Sequence, residues 1–465
     1  MIDLAIVNGT ILSSKDPEDT LHLPSATVLV HNGKIEGLLQ PHASFEAVEV
    51  LDADGMLVMP GVIDIHFHSK GDAFKNQGNF RSETKAAAAG GITTVFEMPI
   101  SKPATSTLEV WQRRREVAER DAYVNVALYA APGHCDAGEI KAMAEAGAIG
   151  FKLLLTKSPP GREDEFFGVT ASNLAEVVQA LELIRETGRR CVFHAEDQSL
   201  IDLYTARTLK SDDPDFRRHR LSRPSIVEST AVASLVAVAR ALDAPIHIAH
   251  VSSRAAIEWI RTGRDLGAPV SSETCPHYLF FTDDVLEEIG HYGRINPPMR
   301  GKEDQEALWE ALNSGVIDVV ATDHAPFTVE EKEVGRGRIL NAPPGHPGVE
   351  AMVSMIMTAA LNSRITLTRA VELLSTRPAQ LFDLYPRKGS LQPGADADIT
   401  IYDPRSRRQI DRRTWWSRAA GSNYLYDGVT THGSVYATLV GGKVVYEEGE
   451  IVGQPGDGGL VRPGT

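Results

Sequence analysis

From Val62 to Ala321 the chain repeats one pattern: a short, continuously apolar run of strand character, then a longer run with helical spacing. The strand-like runs are Val62–Ile65, Ile92–Glu97, Tyr123–Ala130, Ala148–Leu154, Arg190–His194, Pro245–His250, Val270–Thr274 and Ile317–Ala321. Between them lie helical signals. Leu174 to Ile184 carries apolar residues at spacings of three and four, and Ser82 to Ala89 is alanine-rich and stopped by Gly90-Gly91. Strands apolar along their whole length are buried on both faces, which is how parallel sheets wrapped by helices behave. Eight such repeats predict an α/β fold, a (β/α)8 barrel in preference to an open sheet.

The ends of the chain read differently. Leu4 to Leu12, Ala26 to Val30 and Lys34 to Leu38 are short strands, with Asn8-Gly9 and Asn32-Gly33 as hairpin turn signals. Ile399 to Tyr402, Val435 to Val440 and Lys443 to Tyr446 resume that style after the barrel. The expected organisation is a small β-sandwich assembled from 1–57 and 388–452 around a barrel at 58–387. A Gly- and Pro-rich tail at 453–465 is expected to be mobile. The 465 residues allow both units. A net charge of -15 argues against nucleic acid or an anionic membrane as partner. No apolar stretch approaches the roughly 20 residues that span a bilayer, and no basic segment leads into an apolar one at the start. Cys135, Cys191 and Cys275 are too few and too scattered for a thiolate zinc site, and they suit a reducing cytoplasm.

In a barrel of this kind reactive groups sit at the carboxyl ends of the strands. Those ends carry His66 and His68, Lys152, His194, His250 and Asp323. Alternate residues of a strand share a face, so His66 and His68 project together. Imidazole and carboxylate ligands suit zinc and related divalent ions. Each residue alone has an ordinary alternative: Lys152 could snorkel or pair with Glu196, His194 and His250 could be core histidines, and Asp323 could cap a helix. Their recurrence at equivalent strand ends has no structural requirement behind it, which favours a metal site.

The runs Pro60-Gly61-Val62-Ile63-Asp64-Ile65-His66-Phe67-His68, Gly150-Phe151-Lys152, His194-Ala195-Glu196, His250-Val251-Ser252, Pro297-Pro298-Met299-Arg300 and Asp323-His324-Ala325-Pro326 resemble the cyclic-amide branch of the amidohydrolase superfamily. That branch holds dihydroorotases, allantoinases and hydantoinases (dihydropyrimidinases), and the resemblance runs almost end to end. It implies two Zn2+ or similar divalent ions, bridged by N6-carboxylated Lys152. His66, His68 and Asp323 would hold one ion, and His194 and His250 the other. A metal-bridging hydroxide would attack the carbonyl of a hydantoin-, allantoin- or dihydropyrimidine-like ring, with Asp323 moving the proton. The partner implied is a small cyclic amide, and a cytoplasmic homo-oligomer, dimer or tetramer, follows by analogy.

Where dihydroorotases carry an arginine, an asparagine and a histidine for the substrate carboxylate, this chain has Lys70, Ile100 and Phe327. Hydantoin- or allantoin-like rings are therefore favoured, with dihydroorotase as the alternative. A metal-dependent deaminase and a non-catalytic scaffold are weaker readings, since all six ligand positions are filled. Lys70, Lys157, Asn296 and His324 are the candidate substrate contacts. Lys157 stands where hydantoinases usually have a tyrosine that donates to the oxyanion, although a solvated loop lysine fits it equally. The stretch Ser69 to Phe74 is expected to shape the pocket. His277 reads as support for the mouth and His247 as core packing that faces away from it. Gly335 to Arg338, Arg113 to Arg115 and Gly441 to Lys443 read as a loop, a solvated helix face and a turn.

Overall fold

The computed structural model describes residues 1–14, 20–41, 43–71 and 78–464. Among these, seventeen strands follow in chain order. Five come first: β1 Ile2–Ser14, β2 Thr20–His31, β3 Lys34–Leu39, β4 Ala47–Asp52 and β5 Leu57–Pro60. Eight more are β6 Val62–Phe67, β7 Ile92–Glu97, β8 Asn125–Leu128, β9 Phe151–Leu154, β10 Cys191–His194, β11 Ile246–Ile248, β12 Val270–Thr274 and β13 Val319–Val320. The last four are β14 Ile399–Gln409, β15 Thr430–Val440, β16 Lys443–Glu447 and β17 Glu450–Ile451.

The eight middle strands coincide with the eight apolar runs and pair in parallel as β6-β7-β8 and β9-β10-β11-β12-β13. Parallel bridges join the two sheets at both margins, Ala130 to Phe151 and Phe67 to His324, so the strands follow one another cyclically. Strand parity divides the apolar residues. Ile63, Ile65, Phe96, Ala127, Val192, Ala249 and Val319 pack together in one cluster. Val62, Val95, Val126, Phe151, Phe193 and Ile248 pack in another with helix residues such as Leu181, Leu235 and Ile260. Both faces of each strand are buried, which accounts for the unbroken apolar runs. The most apolar long helix, Ser225–Leu242, turns Ala231, Val232 and Leu235 into the second cluster. It has the length and composition of a membrane span, but its buried face belongs to this core.

The two ends form one sheet in the order β17-β16-β15-β14-β5-β1-β2-β3, with β4 also on β1, and a separate apolar core. Asn32-Gly33 makes the expected two-residue turn between β2 and β3. Asn8-Gly9 does not turn the chain. It lies inside β1 at a register shift, where β1 exchanges β4 for β5 as its parallel neighbour. A side chain at Gly9 would sit 2.5 Å from Val58, so the close strand approach requires glycine there. The sheet also extends past the expected boundary at residue 57, because β5 continues to Pro60 and pairs with β14. Gly61 then carries the chain into β6, where any Cβ would meet Thr93 at 2.2 Å.

The tail expected to be mobile is packed over its described part, 453–464. Val126 donates to Gly459, Val461 donates back to Val126, and Gly464 donates to Asp383. Val461 is buried against the inner cluster. Glycines let this segment lie close to neighbouring backbone: a side chain at Gly458 would meet the Val124 carbonyl at 2.0 Å. Val461→Ala is expected to cost about 2 kcal/mol from lost burial and the residual cavity, read as a lower urea midpoint at unchanged m-value.

Candidate metal centre

At the carboxyl end of β6 a register shift between Asp64 and Phe67 reverses strand parity. Ile63 and Ile65 point into the inner cluster, whereas after the bulge Phe67 joins the outer one. His66 and His68 are thereby re-aimed to the same side, with ring centroids 5.5 Å apart. Asp64 holds the bulge in place. Its buried carboxylate accepts from the His66 amide at 3.2 Å, the Thr322 amide at 3.0 Å and the Thr322 hydroxyl at 2.5 Å. Burial outweighs these bonds and raises the Asp64 carboxyl to about 7.

The same clamp sets Asp323, one residue beyond Thr322. Its Oδ1 lies 3.3 Å from His66 Nε2 and 3.6 Å from His68 Nε2, and the three ligand atoms fall within 4.8 Å of one another. The second half of the cluster comes from β10 and β11. His194 Nδ1 lies 3.1 Å from His250 Nε2, and the His250 ring centroid is 5.2 Å from that of His66. His250 and Asp323 both take left-handed backbone, at φ 40° and 48°. For a non-glycine residue that conformation carries strain, which clusters at functional sites.

Lys152 projects from the middle of β9 beside Val192. Its amine is buried and has no hydrogen-bond partner among the described residues. Burial pushes the amine down to about 8, against the opposing pull of Glu273 and Asp323. Burial also raises Asp323 and holds His68 and His250 well below the usual imidazole range, with nearby cations adding to the effect on both. His68 Nδ1 and His250 Nδ1 are further buried atoms without partners. Four imidazoles, a buried amine with lowered basicity and one carboxylate, drawn together out of water, offer the donor types of a divalent metal site.

Glu273, which the sequence reading did not name, and Glu196, which it named only as a possible partner of Lys152, orient two of these histidines. Glu273 in β12 accepts from His66 Nδ1 at 2.5 Å and from His247 Nε2 at 3.2 Å, while His247 also bonds Ser271 at 2.9 Å. His247 is therefore not simple core packing, because it braces the partner of a ligand. Burial raises Glu273, but His66 and His247 outweigh it and leave the carboxylate far below its ordinary range. Glu196 binds His194 Nε2 at 2.9 Å and pairs closely with Arg223. Burial raises Glu196 too, yet Arg223 and His194 hold it at about 2. With one ring nitrogen of His66 and one of His194 committed to a carboxylate, the other nitrogen of each faces the cluster. His-x-Glu at residues 194–196 was the available sequence signal for Glu196. Glu273 lies on a different strand and had none.

The candidate substrate contacts separate. Lys70 is buried, with Nζ 4.3 Å from the Phe327 ring centroid, and burial lowers its amine to about 8. Asn296 presents a buried Oδ1 without a partner among the described residues. Lys157 does not reach the cluster: its side chain is 71% exposed and pairs with Asp202 at 2.9 Å. His324 is buried away from it, with Nε2 bound to Glu83 at 2.9 Å and Nδ1 accepting from Gly348 and Val349. The left-handed turn at Asp323 sends neighbouring side chains to different sides. Of the stretch expected to shape the pocket, Asp72 to Phe74 lie outside the described residues.

The amidohydrolase family model matches residues 57–445. This chain belongs to the amidohydrolase family. An L-hydantoinase of Paenarthrobacter aurescens is 34% identical over 99% of this chain and 98% of its own length. A D-hydantoinase of Streptomyces coelicolor is 32% identical over 99% and 98%. Among solved structures, the L-hydantoinase (dihydropyrimidinase) from Arthrobacter aurescens superposes with a TM-score of 0.93 at 33% identity, covering 99% of this chain and 100% of that one. A dihydropyrimidinase from Brevibacillus agri NCHU1002 gives 0.89 at 28%, covering 100% and 99%. The chain is a cyclic amidohydrolase, a hydrolase acting on cyclic amides, and these relatives do not favour the dihydroorotase alternative.

Replacing Glu273 or Glu196 by Gln in this amidohydrolase is expected to weaken metal binding about 10- to 100-fold, measured by competition with a chelator. Glu196 adds a pH signature. Its folded value lies below its ordinary 4.5, so its share of stability is complete above pH 4.5 and is lost as pH falls towards 2. The gap in urea midpoint between wild type and Glu196→Gln should narrow over that window.

Proposed function

We propose that this amidohydrolase opens a hydantoin-, allantoin- or dihydropyrimidine-like ring to an N-carbamoyl amino acid or a related acid. In this reading the eight-strand ring is a (β/α)8 barrel, the terminal sheet is a small β-sandwich, and the enzyme is a cytoplasmic homo-oligomer. The observation that carries the proposal is Lys152. A buried amine without a partner, lowered to about 8 and set among His66, His68, His194, His250 and Asp323, is reactive towards carbon dioxide. Neutral amine plus CO2 gives a carbamate and one proton, turning a side chain that as an ammonium cannot ligate a cation into one with two oxygens sharing a negative charge.

His66, His68 and Asp323 would then hold one divalent ion, and His194 and His250 a second, with carboxylated Lys152 shared between them. Two such ions would supply a water of lowered pKa and polarise the ring carbonyl. Asp323, whose carboxyl burial raises, would take a proton from the attacking water and pass it to the leaving ring nitrogen. Glu273 and Glu196 keep the imidazoles in the required tautomers, and Lys70 and Asn296 are assigned to the substrate side of the cluster.

The test is a panel of hydantoins, allantoin, dihydropyrimidines and dihydroorotate monitored for ring opening, together with metal analysis. Opening of a ring other than dihydroorotate and close to two metal ions per chain after zinc and bicarbonate are expected. Less than one metal per chain, or turnover of dihydroorotate alone, would sink the proposal. Lys152→Ala should lower kcat/KM roughly 1,000-fold, about 4 kcal/mol at 1.36 kcal/mol per tenfold. Retention of full metal content and activity by that variant would point to a deaminase-type site instead.

A further inference from the structure

Two imidazoles that play no part in the scheme above face each other beside the metal cluster. His277 lies in the short helix Pro276–Phe280 that follows β12, and His346 in a segment bridged to His324. Their ring centroids are 4.8 Å apart at an interplanar angle of 85°. Both are fully buried, at 0% and 1% exposure, and all four ring nitrogens lack a hydrogen-bond partner among the described residues. A neutral imidazole offers one N–H donor and one lone pair. Leaving such groups unmet in the interior costs a full desolvation penalty each, so a pair with four unmet atoms is expensive as scaffold.

The surrounding loops hold the pair rigidly next to the reacting groups. Tyr278 Oη donates to the Pro297 carbonyl at 2.7 Å, beside Asn296. Gly345 donates to Arg294 at 2.9 Å, and Ala325 donates to the His346 carbonyl at 3.0 Å. The loops carrying His277, Asn296, His346 and Asp323 are thus tied to one another. Burial, then the nearby His66, depresses His277 to about 3. Burial, then His277, also holds His346 well below its ordinary value. Both rings are therefore neutral at any pH where a hydrolase of this kind works, and each keeps a donor and an acceptor.

We infer that His277 and His346 are positioning residues for the substrate ring, engaging the ring carbonyl that is not attacked and the N–H beside it. This rests on the hydantoinase-type reading and narrows it to uncharged cyclic ureides along that edge. An edge alternating C=O and N–H satisfies one donor and one lone pair together, whereas a carboxylate there would satisfy donors only and leave the lone pairs facing negative charge.

The experiment compares hydantoin with 1-methylhydantoin, in which the N–H beside the unattacked carbonyl is lost while the scissile bond is kept. Wild type should show a KM for hydantoin about 10- to 100-fold lower than for 1-methylhydantoin. His277→Phe and His346→Phe should each raise the hydantoin KM by a similar factor, change kcat less than about threefold, and shrink the discrimination, with metal content and Tm retained. His277→Gln, which restores a donor and an acceptor, should recover part of the loss. Where a Phe variant does not fold, Met at that position serves as the apolar replacement. Equal KM for the two rings in active wild type, or unchanged discrimination in the folded variants, overturns the inference alone. Wild type that opens neither ring but opens a dihydropyrimidine or allantoin overturns the inference alone, and wild type that opens none of these overturns the functional reading with it.

Discussion

The seam between β6 and β13 is where the eight-strand ring closes, and one buried carboxylate holds it. Asp64 accepts from the amides of His66 and Thr322 and from the Thr322 hydroxyl, so the bulge of one strand and the exit of the other are fixed by the same two oxygens. The Phe67–His324 bridge lies just beyond. Sequence neighbours of this clamp belong to the candidate metal group on both sides: His66 two residues on, and Asp323 next to Thr322. Closing the ring and assembling the His66–His68–Asp323 triad are consequently one structural event. A weaker seam would lose both, since the triad atoms come from chain segments about 255 residues apart.

The electrostatics of the centre follow from how charge is admitted to the interior. Burying an ionised group is costly unless it is paired, so each buried acid near the cluster has a specified partner. Glu273 has His66 and His247, Glu196 has His194 and Arg223, and Glu83 has His324 and Ser417. The exceptions are Lys152, His68 Nδ1 and His250 Nδ1, which are left without partners at the centre itself. That contrast separates scaffold from site. Each rim carboxylate is paired with a histidine, whereas Lys152 Nζ, His68 Nδ1 and His250 Nδ1 retain unused capacity for a ligand.

The strand pattern was legible because burial on both faces demands continuous apolar sequence, and all eight runs became strands. The residues of the candidate site were legible because they stand at strand ends, where nothing in the fold asks for histidine or lysine. Three features were not. Asn8-Gly9 has the composition of a hairpin, but tertiary packing against Val58 uses its glycine for close approach within β1. Glu273 reads as an isolated acid in Val-Ser-Ser-Glu-Thr, and its role appears only when β12 is placed beside β11 and opposite β6. The packing of the tail depends on backbone bonds to Val126 and Asp383, which leave no trace in a Gly- and Pro-rich composition.

Lys157 and His324 show why substrate contacts are harder to transfer than ligands. A ligand position is fixed by the strand beneath it, so matching a motif matches a direction. Lys157 sits beyond the end of β9, where its amine turns outwards to Asp202 and its amide binds Gln198. His324 follows a left-handed residue, and its ring stacks on Phe67 instead of facing the cluster. The polar groups left over, Asn296, His277 and His346, come from three loops that hydrogen-bond to one another. How these loops knit together above the strand ends is a tertiary feature that sequence spacing alone does not encode.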